Sequence, residues 1–120
     1  MILKDIIFDI STAASPVLLF MTYRLSLLDK SPIPPGATAT LALRSTLAMA
    51  QRAEALGYHR FWVAEHHGNP QVAGSAPEIL VAWLLAHTKR IRIGSGGVML
   101  QHYSPYKVAE VFRLLSALAP

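Results

Sequence analysis

The sequence predicts an α/β fold built from three successive strand–helix units. Short apolar runs rich in aromatic or β-branched residues recur about thirty residues apart, which suits βαβ units of a parallel sheet. Each run is followed by a segment with helical start and stop signals. Side chains able to carry chemistry gather just past the runs, at Glu65-His66-His67 and Ser95, while Asp29, on the same rim, reads as a solvated loop aspartate.

Residues 1–20 are expected to be an extension outside this fold, with the domain spanning 21–120. Lys4, Asp5 and Asp9 interrupt the first apolar run and Ser15-Pro16 the next, so neither a signal peptide nor a spanning helix fits. The first strand is predicted at Leu25–Leu28, ending at Asp29. The loop Ser31-Pro32-Ile33-Pro34-Pro35-Gly36 follows, where the prolines forbid helix. Thr38 can cap a helix whose Ala39, Leu43, Leu47, Ala50 and Ala53 share one face, and Gly57 ends it.

Phe61–Ala64 is too short for a helix and reads as a buried strand that stops at Glu65-His66-His67-Gly68. Ser75-Ala76-Pro77-Glu78 has capping-box spacing and opens a helix reaching about Thr88, apolar nearly all round. A third strand, Ile91–Ser95, runs into Gly96-Gly97. Ser104-Pro105 starts a last helix with Val108, Val111, Phe112, Leu115 and Leu118 as its inner stripe and Lys107, Glu110 and Arg113 outside. Two architectures use this repeat, an open doubly wound sheet and a (β/α)8 barrel. Both place ligands at the C-terminal ends of the strands.

Composition narrows the function classes. With 52% apolar and 15% charged residues the chain has material for one core and is not a disordered or collagen-like segment. The lack of cysteine removes disulfides, a cysteine nucleophile and thiolate metal sites, and suits a reducing cytoplasm, the expected location. The net charge of +4 is spread singly apart from Lys89, Arg90 and Arg92, so nucleic acid is not the expected partner. The longest apolar run, Ile79 to Ala86, is eight residues, far short of a membrane span.

Histidine exchanges a proton near neutral pH and a nearby carboxylate can orient or charge it, so Glu65-His66-His67 at a strand end is the leading catalytic candidate. Adjacent residues on extended chain point to opposite sides, so only one of the two histidines need face a pocket. For the same reason the pair does not easily share an ion, and no metal site is expected. His59, His87 and His102 are assigned packing, capping or surface roles. Gly94-Ser95-Gly96-Gly97 follows a strand, yet it lacks the third glycine and the immediate helix of a dinucleotide fingerprint. It also lacks the Gly-x-Ser-x-Gly spacing of a hydrolase elbow. Its glycines do permit close approach of a flat ligand.

Gly57-Tyr58-His59-Arg60-Phe61-Trp62-Val63-Ala64-Glu65-His66-His67, then Ile93-Gly94-Ser95-Gly96-Gly97-Val98-Met99-Leu100, then Ser104-Pro105 and Ala109-Glu110 together resemble the N-terminal part of the luciferase-like flavin monooxygenases. Ser26-Leu27-Leu28-Asp29 is similar to the single-subunit members. The resemblance implies the N-terminal portion of a (β/α)8 TIM barrel, about three βα units, incomplete in this chain. It implies a site for reduced FMN, or the deazaflavin F420 in some relatives, at the strand C-terminal rim. Small-molecule substrate and molecular oxygen are the implied partners. His66 stands at the family's catalytic histidine, with Glu65 in support. Ser95, Gly96 and Gly97 fall where the flavin ring lies, and the Gly96–Gly97 bond falls where relatives carry a non-proline cis peptide. Gln101 replaces a proline common in relatives, and the phosphate-binding positions belong to later strands. The expectation is therefore an N-terminal fragment that self-associates, as a homo-oligomer or an aggregate, and binds flavin poorly alone. The alternatives are a non-catalytic α/β piece that binds a partner and a compact doubly wound flavin-binding domain.

Overall fold

The computed structural model describes residues 24–119. The expectation for residues 1–20 lies outside them. Three parallel strands, β1 (Ser26–Asp29), β2 (Arg60–Val63) and β3 (Arg92–Ser95), alternate with helices α1 (Ala39–Ala55), α2 (Pro77–His87) and α3 (Pro105–Leu118). The strands lie in the order β1-β2-β3, with Leu27, Phe61 and Ile93 in one register row and Leu28, Trp62 and Gly94 in the next. The element order and type follow the sequence pattern, with strand boundaries moved by one residue.

Alternation along the strands splits the sheet into two unlike faces. Phe61 and Val63 are fully buried with Ala50 and Ala53 of α1, Leu80, Val81 and Leu84 of α2, Ile91, and Leu115 of α3. One core thus takes in all three helices, so they cover the same face. A doubly wound sheet would carry helices on both faces. Arg60, Trp62, Leu28 and Gly94 belong to the opposite face, where Leu28 is 55% exposed and the Arg60 guanidinium lies over the Trp62 ring at 5.7 Å.

Local chemistry explains the boundaries. Thr38 caps α1 by accepting the Leu41 N–H at 3.3 Å, and Gly57, at φ +78°, turns the chain out of it. The buried stripe of α1 is Ala42, Thr46, Ala50 and Ala53, with Leu43 and Leu47 half-buried and Ala39 exposed, a rotation from the predicted face. The capping-box expectation is corrected: α2 is preceded by Ala76, makes no side-chain cap bond, and starts directly on Pro77. Ala76 at the cap position has no side-chain oxygen to accept the N–H groups of Glu78 and Ile79, and proline suits the first helical position because its missing N–H is one that no intrahelical partner would take. α2 buries only Pro77, Leu80, Val81 and Leu84 and leaves Ile79 exposed. In α3, Leu118 is exposed, because the core ends at Leu115 one turn earlier.

Candidate active site

The C-terminal ends of the three strands bring Asp29, Val63 and Ser95 into one register row, and the loops beyond them carry the candidate residues. Asp29, expected to be solvated, is instead buried, 5% exposed, because α1 packs Thr46 against it. Thr46 of α1 donates its hydroxyl to Asp29 Oδ2 at 2.5 Å, and Ser31 Oγ lies 2.9 Å from Thr46 Oγ1 and 3.4 Å from the same carboxylate oxygen. Ser31 is held at φ +52°, in the left-handed region, where the chain turns from β1 toward its loop. The cluster ties the end of β1 to α1. It was not legible as a unit because Asp29 and Thr46 are seventeen positions apart.

Glu65 is buried, 7% exposed, and both carboxylate oxygens are used. His67 Nε2 stands 2.5 Å from Oε1, and the Met99 N–H donates to Oε2 at 2.9 Å. Burial by itself raises the carboxyl's pKa. Donors from His67, the Met99 backbone and Tyr103 outweigh that, and the group is held below the ordinary carboxylate value. Tyr103 responds in the opposite sense, pushed up by its own desolvation and then by the neighbouring Glu65 carboxylate. The His102 ring meets His67 edge-on at 4.6 Å. His102, predicted as a surface or packing residue, is therefore part of this cluster, and Tyr103 escaped the sequence reading altogether. Neither is near Glu65 in the chain, and only the 3-10 turn Leu100–His102 returns them to it.

The structure brings Glu65 to His67 and not to His66. Glu65, buried, and His67, more exposed, lie two residues apart on one side of an extended segment, while His66 falls between them on the other side. The His66 N–H donates to the Gly74 carbonyl at 2.8 Å, its side chain is half-buried, and by strand alternation it continues the face that carries Arg60 and Trp62.

After β3 the chain turns on Ser95. Its hydroxyl donates to the Gly97 carbonyl, and the Gly97 N–H donates back to Ser95 Oγ at 3.2 Å. Gly96 and Gly97 are exposed, and a Cβ on Gly97 would meet nothing within 4 Å. A Cβ on Gly96 would stand 3.0 Å from Leu28 Cδ1. The expectation of a cis bond between these glycines is corrected: no cis peptide occurs among the described residues. A non-proline cis bond costs about 3 kcal/mol, and the open surroundings of Gly97 supply no packing to hold one.

Away from this rim, Glu54 Oε1 accepts the N–H groups of Lys89, Arg90 and Ile91 at 2.8, 2.6 and 3.0 Å and so anchors the start of β3 to α1. His87 Nδ1 meets the Trp83 carbonyl at 2.7 Å in the last turn of α2. Among the described residues no three His, Asp or Glu side chains are grouped to hold a metal ion, and no helix is long and apolar enough to cross a membrane.

Comparison with known proteins places this arrangement. The chain is 65% identical over 97 residues to the N-acetyl-S-alkylcysteine monooxygenase of Bacillus subtilis, covering 81% of this chain and 29% of that protein. It is 46% identical over 99 residues to a luciferase-like monooxygenase of Escherichia coli, covering 82% and 30%. The chain thus spans about 30% of the length of these curated relatives. Among solved structures, apo-MsnO8 matches with a TM-score of 0.79 and 52% identity, over 81% of this chain and 30% of that one. The FMN complex of the oxygenating constituent of 3,6-diketocamphane monooxygenase from Pseudomonas putida matches with a TM-score of 0.73 and 24% identity, over 80% and 26%, a likeness of fold. The sequence profile of the luciferase-like monooxygenases matches residues 21–120, and with the motifs and strand-rim geometry described above, the chain belongs to that family.

Proposed function

We propose that this chain supplies the first part of the active site of an FMN-dependent monooxygenase, acting on a small organic substrate with molecular oxygen. The observation that carries the reading is the open sheet face. Leu28, Trp62, Gly94 and Gly96 make an apolar, glycine-relieved floor that ends at Ser95, Gly96 and Gly97, and His66 follows the same alternation at its rim. Such a floor, in which Gly94 and Gly96 let the Trp62 ring and Leu28 lie close to the sheet, suits one face of a flat ring, and the open position at Gly97 leaves room where the floor ends. When bound, reduced flavin supplies the electrons that activate oxygen. The chain's own residues orient the ring by packing, exclude water from one side, and offer the His66 imidazole for proton transfer. The FMN bound in the diketocamphane monooxygenase supports FMN as the first choice, with F420 as the alternative.

A barrel of the (β/α)8 type, of which these are the first three βα units, is supported by the consecutive strand order and by the single helix-covered face. The profile match from residue 21 supports 1–20 as an extension to the domain. We place the protein in the cytoplasm, with self-association through the exposed sheet edges. The identity to an N-acetyl-S-alkylcysteine monooxygenase directs the first substrates to S-alkylated N-acetylcysteines.

Fluorescence titration of FMN into the chain, and into a longer protein in which these residues replace the matching part of the N-acetyl-S-alkylcysteine monooxygenase, tests the reading. Saturable quenching at low micromolar FMN in the longer protein is expected. His66→Ala there should lower oxygenation turnover more than FMN affinity. Unchanged turnover would reject the role of His66, and absence of FMN binding would reject the function.

A further inference from the structure

Glu65 lies on the opposite side of the backbone from His66, so it cannot serve that imidazole by direct contact. We propose that Glu65 is a positioning residue whose buried carboxylate latches the loop after β2 to the loop after β3, and so fixes the backbone from which His66 projects. This rests on the flavin-site reading for its role in catalysis and stands on its own as a structural device.

The latch has a part on each loop. His67, on the β2 loop, places Nε2 2.5 Å from Oε1, and Met99, on the β3 loop, gives its N–H to Oε2 at 2.9 Å. The Glu65 side chain is only 1% exposed, so these bonds form without competition from water, and hydrogen bonds to an ionised carboxylate are the strong kind. The His102 ring packs edge-on against His67, at 4.6 Å between centroids, and so braces the imidazole. On the far side of the same backbone, His66 N–H is bonded to the Gly74 carbonyl, and a Cβ on Gly74 would stand 3.0 Å from the Ala64 carbonyl oxygen. Residues 64–66 are thereby gripped from both sides, by Gly74 and by the carboxylate. The Gly74 and Met99 bonds engage backbone directly, the His67 bond braces the carboxylate by its side chain, and the histidine between them inherits the position.

His67 is the position to vary, because its side chain is 35% exposed and replacing it leaves the core intact. Hydrogen exchange on the full 120-residue chain should show His67→Ala raising exchange of the Met99 and His66 amides about tenfold while Phe61 and Val63 keep their protection. Acylation of the His66 imidazole by diethyl pyrocarbonate should speed up in parallel. His67→Gln keeps a side-chain N–H donor and should restore most of both. Unchanged Met99 and His66 exchange in His67→Ala, a rise that includes Phe61 and Val63 equally, or no rescue by glutamine overturns the latch. Glu65→Gln, with one acceptor oxygen in place of two, should release Met99 or His67 but not both, and unaltered exchange there also counts against it. FMN titration of the longer protein is read separately: loss of binding in the parent sinks the flavin reading and leaves the exchange result standing.

Discussion

The indole of Trp62 lies across the backbone of Gly94, its register partner on β3. A β-carbon at position 94 would stand 2.8 Å from Cζ3 and 3.2 Å from Cε3 of that ring. Gly94 is thus a site of close approach within a sheet, a use of glycine that follows from the missing side chain and not from its dihedral freedom.

Gly94→Ala is expected to cost about 1–3 kcal/mol, because the ring must leave its place beneath Arg60. Trp62→Leu should remove most of that penalty. A double-mutant cycle in urea measures the coupling, and additive losses would show that the two positions do not compete for the same space.

Thr46→Val keeps the shape of the side chain and removes the hydroxyl that Asp29 accepts at 2.5 Å. The carboxylate is 5% exposed and cannot recover the bond from bulk water. A loss of about 1–3 kcal/mol in denaturant unfolding is expected, with Thr46→Ser close to the parent.

Glu54 takes three backbone N–H groups on one oxygen, those of Ile91, Arg90 and Lys89, and these hold its carboxyl below the ordinary value of 4.5. A group with a depressed folded-state pKa adds stability that is complete above the unfolded value and is lost as pH falls through the folded one. Glu54→Ala is therefore expected to cost about 1 kcal/mol at pH 7, and the gap to the parent should close as pH drops below about 4.5. A gap that stays unchanged from pH 7 down to the acid limit of the folded state would show that the clamp does not depend on ionisation.

Gly97→Val separates binding from folding. A Cβ there meets nothing within 4 Å, so unfolding should change by no more than about 0.5 kcal/mol. FMN affinity in the longer protein should fall sharply if the ring lies on this turn. Retained affinity would move the flavin elsewhere.

The order of strands and helices, the caps at Thr38 and Gly57 and the placement of Asp29, Glu65 and Ser95 at strand ends were legible in the sequence, because each depends on periodicity or on residues a few positions apart. Family membership was legible for a related reason: its motifs are short runs whose order and spacing survive without the fold. Tertiary structure decided which partners those residues meet. Glu65 belongs with His67, Met99 and Tyr103, Asp29 with Thr46, and Glu54 with the backbone before β3, at separations of up to thirty-eight positions. Local pattern reports which face a side chain takes along its own element. What lies opposite that face depends on how helices and loops dock on the sheet, and a buried carboxylate takes whichever donors the docking brings within reach.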